Sequence, residues 1–157
     1  MSFEIIAATE KDCGEILRFI NELAEYEKMS DEVVATEELL REWIFEKQKA
    51  EVIFAVEDGR KVGFALYFHN FSTFLGRAGI YLEDLYVMPE FRGKGYGKAL
   101  LKELARIALN RGCGRLEWAC LDWNKPSIDF YLSLGAKPMD IWTTYRLTGE
   151  TLVKMAE

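Results

Sequence analysis

Proline, cysteine and histidine are scarce: three, three and one in 157 residues. There is no internal repeat, low-complexity tract or Pro/Gly-rich linker, so nothing marks a boundary between separate domains. The odd cysteines, Cys13, Cys113 and Cys120, show no CxxC spacing. That excludes a disulfide framework and reads as free, buried thiols in a reducing cytoplasm. His69 stands alone, so no zinc-ligand cluster can be assembled around it. A Cys–His nucleophile pair has no local motif in its support. No apolar run approaches the ~20 residues of a membrane span. The start, Met1-Ser2-Phe3-Glu4-Ile5-Ile6, lacks a basic region and a long apolar core, so it reads as a strand and not as a signal peptide. Positive charge is in deficit: 20 Lys+Arg against 26 Asp+Glu, a net charge of −6. That argues against general nucleic-acid binding. It is compatible with a cationic substrate, and equally with ordinary solubility charge.

Apolar residues are plentiful, 50% in all with 13% aromatic, which excludes disorder. The length fits one domain spanning residues 1–157. A chain of this size buries roughly two thirds of its unfolded surface and needs no disulfide or metal staple.

Thr9-Glu10-Lys11-Asp12 has the form of a capping box. Ile16, Phe19, Ile20, Leu23 and Ala24 then give a helix to about Glu27 one apolar face. A second helix is expected from Thr36 through Trp43. Val52–Val56 and Val62–Phe68 are strands around Asp58-Gly59, a tight-hairpin signal. A loop is expected over Asn70–Gly79, then a strand over Ile80–Met88. Gly95–Arg111 is a helix with Leu100, Leu101, Leu104, Ile107 and Ala108 as its stripe. Arg115–Leu121 is a strand, Pro126–Leu134 a helix stopped by Gly135, Trp142–Leu147 a late strand and Thr151–Ala156 a final helix. The order implies a mixed sheet with helices on both faces.

The most informative stretch runs from Leu85 to Ala99: strand, glycine-rich turn, helix. Helix N-termini carry unpaired N–H groups and a partial positive charge, so anions bind there. Glycine at every second position lets the backbone approach the anion. A Walker A loop would need Gly at Arg92 and Ser or Thr at Ala99. A dinucleotide GxGxxG would need Gly at Lys98. What remains is R-x-x-G-x-G, formed by Arg92, Gly95 and Gly97. Without a ligand it would be a glycine-rich helix entry and no more.

That turn, following a strand that ends Val87-Met88-Pro89, resembles the pyrophosphate loop of the GNAT superfamily of acetyl-CoA-dependent N-acetyltransferases. A second block agrees with it: Asn124-Lys125-Pro126-Ser127-Ile128-Asp129-Phe130-Tyr131-Leu132-Ser133-Leu134-Gly135-Ala136. Leu23–Lys28, Tyr81–Asp84, Tyr86–Pro89 and Asp122–Asn124 are similar to the spermidine/spermine N-acetyltransferase family. Within it they lean toward the thialysine N-ε-acetyltransferase branch. The similarity runs from about Ile5 to Ala136 and fades where Trp142-Thr143-Thr144-Tyr145 stands.

The resemblance implies the GNAT fold, a mixed and mostly antiparallel central sheet flanked by helices. It implies an acetyl-CoA donor, no metal, a primary amine on a small cationic metabolite as acceptor, and a homodimer. The cofactor would meet Leu85, Tyr86 and Val87 through the strand. Its phosphates would meet Arg92, Gly93, Lys94, Gly95, Tyr96, Gly97 and Lys98. Asn124, Lys125, Pro126 and Ser127 would add further contacts, although Asn124 and Ser127 are also good helix caps. Tyr26, Glu27, Glu83, Glu117 and Trp118 would face the acceptor. An acceptor that is a protein or antibiotic amine keeps the same chemistry, and a non-catalytic acyl-CoA-binding domain remains a reading from another class.

The reaction sets its own requirements. A lysine-like amine is only about one part in 2500 neutral at pH 7, so a base is useful. Glu83 is the candidate, mid-strand among large apolar neighbours, where burial would raise a carboxylate pKa. Strand alternation groups Glu83 with Tyr81 and Leu85, and Asp84 with Leu82 and Tyr86. An edge position in solvent, or a pairing with Lys or Arg, is the plain alternative for Glu83. Asp84 is given a structural role. The oxyanion would need backbone donors near Leu85–Val87. The leaving thiolate needs an acid, for which the resemblance points to Tyr131, otherwise a core aromatic beside Ile128 and Leu132.

Overall fold

The computed structural model describes all 157 residues. They form two compact units, Met1–Ala119 and Cys120–Glu157.

The first unit is built on a five-stranded sheet in the order β1-β2-β3-β4-β5. The strands are β1 (Phe3–Ala7), β2 (Glu51–Glu57), β3 (Arg60–Ser72), β4 (Arg77–Val87) and β5 (Leu116–Trp118). The first four pair antiparallel, and β5 joins β4 in parallel. Asp58 (φ 49°) and Gly59 (φ 81°) make the tight turn between β2 and β3; both central residues need positive φ, which glycine adopts without strain. The expected loop over Asn70–Gly79 is much shorter. The hairpin of β3 and β4 continues to Ser72 and Arg77, because a ladder extends wherever both strands find partners, whatever their polarity.

Helix α1 (Cys13–Tyr26) follows the Thr9 capping box, in which the Thr9 N–H donates to Asp12 Oδ2 at 2.7 Å. Its apolar stripe packs on one face of the sheet. Phe19 is fully buried, with ring centroids 5.4 Å from Phe64, 6.0 Å from Tyr86 and 6.2 Å from Phe54. Ile16, Leu23, Ile44, Val52 and Met88 complete this core. Helix α2 (Glu37–Leu40) is capped by the Thr36 hydroxyl. It runs on through Arg41–Glu46 as a wider turn of π-helix. Helix α3 (Tyr96–Asn110) buries Leu100, Leu101, Leu104 and Ala108 and contacts β2, β3, β4 and β5. Strand alternation turns Ile53, Ala55 and Ala65 away from the α1 core, toward the opposite face. Helices therefore flank the sheet on both sides, as the element order implied.

The second unit contains α4 (Lys125–Ser133) and α5 (Gly149–Met155). Gly135 (φ 89°) ends the α4 turn. Trp142–Leu147 is not a strand. A strand exists only in a ladder, and this unit holds no second strand to pair with. Ile141, Trp142 and Tyr145 stay exposed. No helix of the chain is long and apolar enough to cross a membrane. Cys13 and Cys113 are buried free thiols, but Cys120 is only half-buried, which corrects the expectation for that residue.

Candidate active site

The register between β3 and β4 slips once. Leu66 faces Asp84 and Tyr67 faces Leu82, so Glu83 is the extra residue of a β-bulge. A bulge inserts one unpaired residue and resets the alternation beyond it. Tyr81 lies opposite Phe68, and their rings are 5.3 Å apart. Asp84 and Tyr86 lie opposite Leu66 and Phe64, on the face that carries α1. Leu82 and Leu85 share the other face. The alternation read from the sequence, which set Asp84 with Leu82, is therefore wrong at this point.

The bulge also redistributes burial. Glu83 is exposed and Asp84 half-buried. Desolvation, then the charges of Glu83 and Glu27, push the Asp84 carboxyl up to about 7. Burial and the Glu83 charge hold Glu27 above its ordinary value too. Burial raises the Tyr81 phenol, with Glu83 and Glu117 adding to it. Glu27, Glu83 and Asp84 thus form one electrostatic group, and Tyr81 links Glu83 to Glu117. The bulge carries Glu83 outward and leaves Asp84 the more buried of the two carboxylates.

Other acceptor candidates border this group. Tyr26 is the last residue of α1 and is exposed, and half-buried Glu27 follows it. Glu117 is half-buried on β5 and accepts a hydrogen bond from Asn70 Nδ2 at 3.0 Å. Half-buried Trp118 follows it opposite Leu82. The β4–β5 pairing covers only Ile80–Leu116, Tyr81–Glu117 and Leu82–Trp118. It stops where the bulge begins. From Glu83 to Val87 the outer edge of β4 has no β5 partner, so its backbone groups stand ready for an extended ligand. Leu85, Tyr86 and Val87 lie on that stretch. The Tyr86 side chain is not part of it, because it is buried with its hydroxyl donating to Glu22 Oε1 at 3.0 Å.

The glycine turn leads from β4 into α3. Gly93 and Gly95 both have φ 82°, a left-handed conformation costly to other residues. The Ala99 N–H donates to the Gly95 carbonyl at 2.9 Å. N–H groups ahead of that first turn have no intrahelical partner. Gly97 is informative for a different reason. Its φ is not positive, and a Cβ built there meets nothing within 4 Å. No internal contact explains a glycine that weakens the helix start, whereas close approach of an outside group does. The turn thus fits a diphosphate.

Two of the three cations of the turn have partners within the chain. Arg92 Nε donates to the Val87 carbonyl at 2.9 Å, and its guanidinium lies 5.3 Å from the Tyr26 ring centre and 5.5 Å from that of Tyr86. Lys94 Nζ pairs with Glu57 at 2.8 Å. The buried Tyr96 hydroxyl donates to the same carboxylate oxygen at 2.5 Å. Lys98 is exposed on the first turn of α3. The Lys94 partner lies 37 residues away in sequence and is found only in the fold.

In the second unit Asn124 is buried at the start of α4, and its carbonyl accepts the Ile128 N–H at 3.0 Å. Its side chain does not cap the helix, which leaves the capping reading without support. Exposed Lys125 pairs with Asp129 at 3.1 Å. Pro126 sits in the first turn of α4, where its missing N–H costs nothing, and Ser127 is half-buried. Tyr131 is half-buried, its ring 5.7 Å from that of Phe130, whereas Leu132 of its supposed core stripe is exposed.

Sequence reasoning passed over the Glu51–Arg111 pair, at 2.7 Å, with His69 Nε2 3.3 Å from Arg111. Glu51 and His69 also border a cavity of about 490 Å³ floored by Ala8, Ile44, Phe45 and Tyr67. None of the expected site residues lines it.

Comparison with known proteins agrees with this geometry. The model of the acetyltransferase (GNAT) family matches residues 15–136. The thialysine N-epsilon-acetyltransferase of Bos taurus is 44% identical over 169 aligned positions, covering 99% of each chain. The enzyme of the same name from Caenorhabditis elegans is 36% identical over 99% of this chain and 98% of its own. The solved structure of an integron cassette protein from the mobile metagenome of V. cholerae superposes with a TM-score of 0.83 at 34% identity, over 100% of this chain and 99% of that one. The sheet that opens at a bulge, the glycine turn and these relatives all lead to one assignment: the chain belongs to the acetyltransferase (GNAT) family.

Proposed function

We propose that the chain transfers an acetyl group from acetyl-CoA to a primary amine of a small cationic metabolite, a lysine-like amine such as thialysine or a diamine or polyamine. The observation that carries this reading is the carboxylate group around the β4 bulge. The charge of Glu83 raises the proton affinity of Glu27 and Asp84, and Glu83 and Glu117 both act on Tyr81. Such crowding is unfavourable for the fold alone and is relieved by a bound ammonium. The exposed Tyr26 adds an aromatic face suited to a cation.

Each residue then has a task. Backbone N–H groups between Gly93 and Lys98 receive the diphosphate of the donor, with Lys98 adding charge. The open edge over Leu85–Val87 pairs with its pantetheine arm and supplies N–H donors to the oxyanion. Asn124, Lys125, Pro126 and Ser127 complete the donor site. Glu83 orients the ammonium, and Asp84, poised near neutrality, accepts its proton directly or through water. The freed nitrogen lone pair bonds to the acyl carbon and the C–S bond breaks. The Tyr131 hydroxyl gives its proton to the departing thiolate, and the proton that the acetylated nitrogen must still shed returns to Tyr131 through water. The protein works as a homodimer in the cytoplasm on this reading. The exposed Ile141, Trp142 and Tyr145 support a second copy as their cover.

A panel of acceptors with acetyl-CoA, read by release of free CoA thiol, tests the proposal. Turnover on lysine analogues, diamines or polyamines is expected. Turnover on a peptide or an aminoglycoside, with none on these amines, would overturn it.

A further inference from the structure

We propose that Glu57 is a positioning residue for the donor's diphosphate, holding the glycine turn from two strands away. Glu57 is the last residue of β2, which is separated from β4 by β3. Its Oε1 accepts from Lys94 Nζ at 2.8 Å and from the Tyr96 hydroxyl at 2.5 Å. Lys94 and Tyr96 stand on either side of Gly95, one of the two left-handed glycines of the turn. One carboxylate oxygen therefore fixes both flanks of that glycine. A second contact secures the same point: the Phe3 ring stacks on Tyr96 at 4.2 Å and 14°. Phe3 is the β1 partner of Glu57 in the ladder, so one rung of the sheet edge supplies both anchors.

The turn needs such anchors. Two left-handed glycines lose more conformational freedom on ordering than any other residues. The N–H groups that would meet the anion must stay unbonded inside the protein, so they cannot hold the turn themselves. Side chains have to do it. Lys94 is then mainly a tether, with its charge answered by Glu57, and the net attraction for the diphosphate falls to the N–H groups and Lys98. A turn held in its binding shape spares the ligand the cost of ordering it.

This inference rests on the reading that the turn receives the diphosphate, and the test separates the two. Steady-state kinetics are compared for acetyl-CoA and for S-acetylpantetheine, which carries the same thioester without the diphosphate. Glu57→Ala is expected to raise the KM for acetyl-CoA about tenfold, the size of a modest misplacement of binding groups. It should leave kcat and the KM for S-acetylpantetheine within twofold. Tyr96→Phe keeps the ring on Phe3 and removes only the hydroxyl. It should move the acetyl-CoA KM in the same direction, and it serves alone if Glu57→Ala does not fold. Combined, the two changes should cost less than their product. Equal effects on both donors, or no effect on either, would overturn the role of Glu57. Gly97→Val, which fills the open space on the turn, checks the underlying reading. If Gly97→Val leaves the acetyl-CoA KM unaltered, the turn is not the diphosphate site. If it raises that KM while Glu57→Ala and Tyr96→Phe do not, the turn binds the diphosphate but Glu57 does not position it.

Discussion

Tyr81 and Asp84, three residues apart on β4, face the same side of the sheet. In an unbroken strand they would face opposite sides. The bulge at Glu83 is what joins them, and with them it joins Glu27 from the end of α1 and Glu117 from β5 into one acidic group.

A stability profile against pH should show Asp84. Its folded pKa, about 7, lies above the ordinary aspartate value of 3.8. Between those values the folded state holds a proton that the unfolded state has lost, so stability falls as pH rises from about 4 to 7. The ceiling on this effect is roughly 4 kcal/mol, at 1.36 kcal/mol per unit. Urea unfolding at pH 5 and pH 8 measures it. Asp84→Asn should flatten the difference and be more stable than the unaltered protein at pH 8. An unchanged pH slope in the variant would remove Asp84 as its source.

Asp84→Asn should also remove the rise of kcat/KM through neutral pH, because an amide cannot take the ammonium's proton. A profile measured from pH 5.5 to 9 with saturating acetyl-CoA checks this. The loss at pH 7.5 should reach about a hundredfold, the usual scale for general-base catalysis.

Tyr131→Phe is expected to lower kcat by about a hundredfold or more. CoA binding, followed by titration calorimetry, should stay near normal. If the hydroxyl belonged to packing alone, the rate would hold and stability would drop instead.

Glu27→Gln should raise the KM of a cationic acceptor by about tenfold, the scale of one charge-assisted hydrogen bond. The KM for acetyl-CoA should not follow. Parallel shifts in both constants would indicate a general disturbance of the α1 end.

Phe19→Ala tests the core that carries the site. Phe19 is fully buried against Phe54, Phe64 and Tyr86. Truncation should cost about 3–5 kcal/mol, read as a lower urea midpoint with little change in slope.

Local rules made much of the chain readable from its residues. The α1 stripe, the Asp58-Gly59 hairpin, the glycine turn opening α3 and the Gly135 stop are each written within a few neighbouring positions, where periodicity and φ preference act. The same holds for the acetyltransferase motifs, since the turn and the Tyr131 block each lie in one short segment. Tertiary structure decided the rest. Nothing in Ile80–Val87 announces a bulge, because a bulge is a mismatch between two strands and neither strand contains it alone. That mismatch turned Glu83 outward and gave Asp84 the raised proton affinity. Arg92 and Lys94 are plain in the sequence of the turn, but their contacts with Val87 and Glu57 are not, and Glu57 lies 37 residues from Lys94. Trp142–Leu147 has the composition of a strand and no ladder to join. Propensity and patterning are properties of a segment, whereas burial, pairing and pKa depend on what the fold brings alongside it.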